Sequence, residues 1–318
     1  MYLGKKYCNW LGRGDAPVLT GSRLVSCTTR GSESRSIYGR EPFLKRTLFS
    51  LILAGLLSMS VMGALAAHTT VVTEADVTRA VENTPPTDNW MLYTRALTPG
   101  IGVFRVGPGE VPLGVGSLEL TTTGGSDKVF LFNFDHIGTK LTDINTMSYE
   151  TYRSAGSAQQ VTALNMVIDE NGGSLEPGDF STLVFEPVYN TDQGSVVSGE
   201  WQDWTAAGSG VWWSTQPING QCAGATSACD KTWNEIQANN PDATILGGFG
   251  VNQGGGNAGL MAAVDALTIN TVTYDFEPYR VAANADDCKN GGWMNAKRAD
   301  GSSFKNQGDC IQFVNTGK

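Results

Sequence analysis

Histidine is nearly missing from this chain, with only His68 and His136 in 318 residues. That excludes most familiar hydrolase chemistry: neither histidine stands in a triad context, and there is no G-x-S-x-G or H-E-x-x-H motif. Zinc is equally poorly served, because the cysteines show no C-x-x-C spacing and lack histidine partners. Positive charge is scarce as well. Beyond residue 66 the chain has 13 Lys and Arg against 28 Asp and Glu, a formal charge of −15. A surface of that sign repels nucleic acid and anionic lipid.

Long apolar runs are limited to one. Lys45 and Arg46 introduce "TLFSLILAGLLSMSVMGALAA", which closes on the small-residue pattern Ala64-Leu65-Ala66. Residues 44–67 read as a secretory signal peptide cleaved near Ala66 or Ala67, with an uncleaved membrane anchor as the alternative. Residues 1–43 have no periodic apolar face and read as a non-native extension ahead of a translation start near Leu44. The expected location is secreted or at the cell surface, with no membrane span after cleavage. The cysteines agree. Cys8 and Cys27 fall in the discarded part, while Cys222, Cys229, Cys288 and Cys310 form an even set suited to an oxidising compartment. Three pairings are possible, and proximity favours Cys222 with Cys229 and Cys288 with Cys310.

From about residue 90 the chain consists of short β-rich runs such as "KVFLFNFD", "MSYETYR", "FSTLVFEPVY" and "VDALTIN", divided by glycine-rich turns. About ten strands at this spacing predict an all-β, antiparallel sandwich over 68–279. One short inserted helix is expected at "KTWNEIQANNP", where Thr232 and Glu235 have capping-box spacing and Pro241 ends the run. Residues 280–318 are polar and loop-rich and read as a disulfide-bonded tail.

Gly254, Gly256 and Gly259 satisfy G-x-G-x-x-G, but too little chain follows for a doubly wound sheet, so a glycine-rich loop is expected. Asp169 and Asn171 have calcium-loop spacing without the later acid, which suits a plain turn. In "AVDALTIN", alternation turns Asp265 to the same face as Leu267 and Ile269. An inward carboxylate must be ligated or hydrogen-bonded, so Asp265 is either a ligand for structural Ca²⁺ or a cap on backbone amides. Two acid pairs, Asp275 with Glu277 and Glu200 with Asp203, are the candidates for glycosidase chemistry.

Four of the eight tryptophans stand in "GEWQDWTAAGSGVWWST". They either fill the core or form a stacking platform, because the apolar faces of sugars pack on indole while amide and carboxylate groups bond the hydroxyls. Val211 is the core-like neighbour of Trp213, which predicts Trp213 inside and Trp212 outside. The expected ligand-binding set is therefore Trp201, Trp204 and Trp212 with Asn252, Gln253 and Asn257.

The stretches "STLVFEPVYN", "WQDWTAAGSGVWWST", "NNPDATILGGFGVNQGGGNAGLMAAVDALTI" and "TYDFEP", followed by "CKNGGW" and "FKNQGDC", resemble exported bacterial proteins with a carbohydrate-binding-like or concanavalin-like jelly-roll domain. The resemblance covers about residue 129 to the end. It implies a jelly-roll β-sandwich that binds a polysaccharide or cell-surface glycan and often holds structural calcium. The resulting expectation is a secreted, non-catalytic glycan-binding or cell-envelope-associated protein. The alternatives are a structural surface protein without a small ligand and a polysaccharide-degrading enzyme.

Overall fold

The computed structural model describes residues 67–95, 102–173, 176 and 178–318. The expected extension at 1–43 and the signal peptide up to Ala66 lie outside the described residues. Among the described residues there are fifteen strands: β1 (His68–Val72), β2 (Val77–Val81), β3 (Trp90–Thr94), β4 (Gly102–Val106), β5 (Gly116–Thr122), β6 (Lys128–Asn133), β7 (Met147–Ala155), β8 (Ala163–Asp169), β9 (Phe180–Phe185), β10 (Trp201–Thr205), β11 (Val211–Ser214), β12 (Lys231–Thr232), β13 (Thr244–Gly254), β14 (Leu260–Ile269) and β15 (Val272–Phe276). Helices α1 (Trp233–Asn239) and α2 (Gln307–Thr316) complete the set.

The strands form two sheets. Sheet A runs β1-β15-β14-β5-β4, with β7 also on β14 and β10 on β7; sheet B runs β12-β11-β9-β8-β13-β6-β3-β2. Alternation along each strand sends one face of each sheet into a shared core. Leu118, Leu120, Tyr149, Val264 and Phe276 come from sheet A, and Leu131, Leu164, Phe185, Trp212 and Val251 from sheet B. The expected antiparallel all-β architecture is met in most pairs, but β1 on β15 and β2 on β3 are parallel. Both parallel strands lie at sheet edges, where a chain arriving from elsewhere can add without a hairpin.

Helix α1 forms where the capping box placed it. Thr232 Oγ1 accepts from the Glu235 amide at 3.2 Å, and Glu235 accepts from the Thr232 amide at 2.9 Å. Trp233 and Ile236 fasten its buried face to the core. The tail beyond residue 280 contains α2, which the loop-like composition did not suggest. Asn306 caps it by accepting from the Asp309 amide, and Ala282, Cys288, Ala296, Phe304 and Cys310 make a small core of their own. Both disulfides follow the proximity pairing, Cys222–Cys229 and Cys288–Cys310. No helix among the described residues is long and apolar enough to cross a membrane.

The tryptophans in β11 reverse the expected order. Trp212 is fully buried, lies opposite Phe185 on β9 and donates its indole N–H to the Ala206 carbonyl at 2.7 Å. Trp213 is half-buried on the other face and donates to Glu186 at 3.2 Å. The inward face of β11 is set by its partner strand, and Val211 at the strand end is itself only half-buried. Accordingly, Trp212→Ala should cost about 3–5 kcal/mol in denaturant unfolding and Trp213→Ala only about 1–2 kcal/mol. Equal costs would contradict this orientation. Alkylation of the unreduced protein should leave Cys222, Cys229, Cys288 and Cys310 unlabelled by mass spectrometry, and labelling of any of the four would contradict the pairing.

Candidate functional site

Strand β14 has two edges, and β7 occupies one of them from Met261 to Ile269. The other edge is therefore divided, with β5 on Leu260–Val264 and β15 on Leu267–Ile269. Where one partner hands over to the next, the register shifts between Asp265 and Thr268, and Ala266 adopts φ 51°. This is a bulge at a fork, and the fork leaves backbone amides without a strand partner.

Buried acids take those amides. Asp265 is fully buried; its Oδ1 accepts from the Phe276 amide at 2.9 Å and its Oδ2 from the Leu113 amide at 3.1 Å. Glu277 Oε1 accepts from the amides of Val115 at 2.6 Å and Gly116 at 3.2 Å. Burial pushes the Asp265 and Glu277 carboxyls up to about 7, and the nearby Asp275 adds to the rise in both. Asp275 is raised in turn, chiefly by burial. Asp275 Oδ1 and Glu277 Oε2 are buried and take no hydrogen bond from any other group, and the two carboxyls lie within hydrogen-bonding reach of each other.

Next to the fork, the outer face of sheet A carries two rings. On β7, Met147, Tyr149 and Thr151 point inward, so Glu150 and Tyr152 point outward; on β10, Trp204 points inward, so Trp201 and Asp203 point outward. The β7–β10 register sets Trp201 directly opposite Tyr152 and Asp203 directly opposite Glu150. The two half-buried rings stand 5.7 Å apart at 56°, forming an open V. The loop joining β4 to β5, residues 107–115, reaches over this face. Its Pro108 carbonyl accepts from the Trp201 indole N–H at 2.9 Å. Burial raises the carboxyl pKa of both Glu150 and Asp203, and the Asp203 charge adds to the rise at Glu150. The site is thus a tilted aromatic pair flanked by a like-charged acid pair.

Compared with family models, curated proteins and solved structures, the chain matches none. The site is therefore read from its own geometry.

The expected binding residues do not assemble. Of that set only Trp201 lies on the aromatic face. Trp204 is fully buried on the inner side of β10, with its N–H on Thr151 Oγ1 at 2.7 Å, and Trp212 belongs to the core. Gln253 is also buried, spanning the sandwich from β13 to the carbonyls of Leu120 and Leu260 at 3.1 and 3.0 Å. Asn252 is half-buried on β13 of sheet B, and Asn257 sits in the turn between β13 and β14 with a bond to the Gly254 carbonyl. That turn holds Gly254, Gly256 and Gly259, all at positive φ, and leads into a strand. Asp169 caps its own turn by accepting from the amides of Asn171 and Gly172. Asp265 has both oxygens on backbone amides, the capping alternative to ligation. Among the described residues no group of three or more His, Cys, Asp or Glu is arranged to hold a metal ion. The sequence reading missed Glu150 and Tyr152. Alternation in "MSYETYR" placed them on one face, but nothing local showed that β10 would lie beside it.

A second concavity, of about 690 Å³, opens between the β1 edge of sheet A and the β2–β3 edge of sheet B. His136 lies in its wall, with Nε2 2.9 Å from the Tyr274 hydroxyl, and Asp135 is beside it. Burial depresses the His136 pKa, partly offset by the Asp135 charge. The unfolded chain therefore takes up this proton first as pH falls below about 6.5, so His136 lowers stability on acidification, while the raised Asp265 and Glu277 carboxyls act in the opposite sense. Between pH 7.5 and 5.5 the urea midpoint of His136→Gln should shift upward relative to that of the parent protein; an identical pH response would remove His136 as a contributor.

Proposed function

We propose that this is an exported glycan-binding protein of the cell surface or surroundings, built on a jelly-roll sandwich, and that sugar packs on Trp201 and Tyr152. The observation that carries the reading is the β7–β10 register, which sets two half-buried rings opposite each other with Glu150 and Asp203 as the next pair along. Rings held in this way offer apolar surface to the C–H faces of a pyranose, and the neighbouring carboxylates accept from its hydroxyls. The Trp201 indole N–H is already engaged by Pro108, so the ring is held in place before any ligand arrives. Two disulfides suit an oxidising, extracellular setting. The strong negative charge beyond residue 66 favours neutral or amine-bearing glycans over uronic or sulfated ones.

One observation favours a second reading, polysaccharide hydrolysis. Directly opposed residues of adjacent strands have Cβ atoms about 5 Å apart, which brings two carboxyls within reach of the separations that glycosidases use. Glu150 and Asp203 are such residues, and both have raised pKa values.

Affinity electrophoresis against a panel of polysaccharides separates these readings. Trp201→Ala and Tyr152→Ala should each weaken retention by about ten-fold or more, about 1.4 kcal/mol, with little change in melting temperature. A protein retained by no polysaccharide, or variants that bind as well as the parent, would overturn the glycan reading in favour of a structural surface role. Release of reducing sugar that disappears in Glu150→Gln would establish the enzymatic one.

A further inference from the structure

Strand β1 is an edge of sheet A, and β15 is its one ladder partner among the described residues. The His68 amide donates to the Thr271 carbonyl at 2.9 Å, and the Val72 carbonyl accepts from the Glu277 amide at 2.8 Å. Residues that bond a given neighbour alternate along a strand, so His68, Thr70 and Val72 face β15 while Thr69 and Val71 turn their N–H and C=O groups to the free side. Among the described residues nothing bonds those groups. Native sheets guard such edges with charge or proline. Each of the other edge strands has a charge, Arg105 on β4, Asp203 on β10, Arg79 on β2 and Lys231 on β12, whereas β1 reads His-Thr-Thr-Val-Val. The free side of β1 also opens on the concavity of about 690 Å³, whose wall includes Thr70 and Val71. Its charge is one-sided. Arg280, the one Lys or Arg in that wall, is taken by Asp76 at 2.7 and 2.8 Å, while Asp88 and Asp135 of the same wall are in no described ion pair.

We propose that β1 receives an extended basic peptide of another protein as a further strand of sheet A, with Lys or Arg side chains of the guest directed at Asp88 and Asp135. Added strands draw affinity from main-chain hydrogen bonds and specificity from the pockets that receive alternate side chains. Thr69 and Val71 supply the bonds. Every second side chain of the guest falls on the face shared with Thr70 and so enters the concavity, where the unpaired acids stand. A second copy of this chain is the poorer guest, because each copy has a formal charge of −15 beyond residue 66 and the two repel. This site lies apart from Trp201 and Tyr152 and does not rest on the glycan reading.

The experiment is calorimetry with three acetylated octapeptides: alternating valine and lysine, alternating valine and glutamate, and the lysine peptide methylated at its backbone nitrogens. The lysine peptide should bind one per chain and at least ten-fold more tightly than the glutamate peptide. Its methylated form, with the charge intact but no ladder possible, should lose at least ten-fold as well. On binding, hydrogen–deuterium exchange at the Thr69 and Val71 amides should slow by at least ten-fold, while Thr70, already in the β15 ladder, changes little. Val71→Pro removes an amide of the free side only, so it should melt close to the parent and bind at least ten-fold more weakly. Asp88→Asn combined with Asp135→Asn should lose the preference for lysine over glutamate. No binding of the lysine peptide, binding that survives backbone methylation, or unchanged exchange at Thr69 and Val71 overturns the strand site. Equal binding of the lysine and glutamate peptides overturns the basic guest. A free protein that sediments as a dimer with Thr69 and Val71 already protected overturns the foreign peptide in favour of a second copy.

Discussion

The divided edge of β14 is the constraint that organises sheet A. One strand cannot pair two partners on the same edge without a break, and at this break β5 begins and β15 ends. The amides of Leu113, Val115, Gly116 and Phe276 face the gap, and those of Gly116 and Phe276 are buried. Asp265 and Glu277 answer that need from inside the protein. The bulge at Ala266 is the backbone side of the same solution, since it lets Asp265 turn toward the gap while Leu267 and Ile269 return to the core. Five residues of strand pairing on one side and three on the other are thus joined by carboxylates in place of a continuous ladder.

That arrangement has a cost, which appears in the ionisation of the acids. Burial favours their neutral forms, and Asp275 adds charge to a space that already holds two carboxyls. The loop of residues 107–115 approaches these groups closely at Gly114, where a Cβ would fall on Glu277 Oε1. The same loop also meets the outer aromatic face, through the Pro108 carbonyl that accepts from Trp201.

What was legible in the sequence was local. The α1 capping box spans three residues, and each disulfide closes a short loop, so both could be read directly. Alternation correctly turned Asp265 inward, but its partners lie at Leu113 and Phe276, the first 152 residues away, and no local signal names them. The faces of Trp212 and Trp213 were misjudged because Val211 is a weak guide at a strand end, whereas the opposing Phe185 decides the matter from another strand. Trp201 stood in the expected binding set but Tyr152 did not; the pair exists only through the β7–β10 register. Helix α2 was hidden by a polar composition whose one fully buried residue, Cys310, was read solely as a disulfide partner.

Strand β1 sets an order on assembly. His68 pairs with Val272 and Val72 with Phe276, so the first strand of the described chain finds its only ladder partner near the end of the sandwich. Pairings of such sequence separation form late and slowly, because the intervening chain must already be organised. During synthesis, the N-terminal strand would wait unpaired until about two hundred further residues had emerged. The edge of sheet A is therefore a closing seam: any truncation before β15 leaves the first strand with an open row of backbone amides, in the form most prone to join another chain.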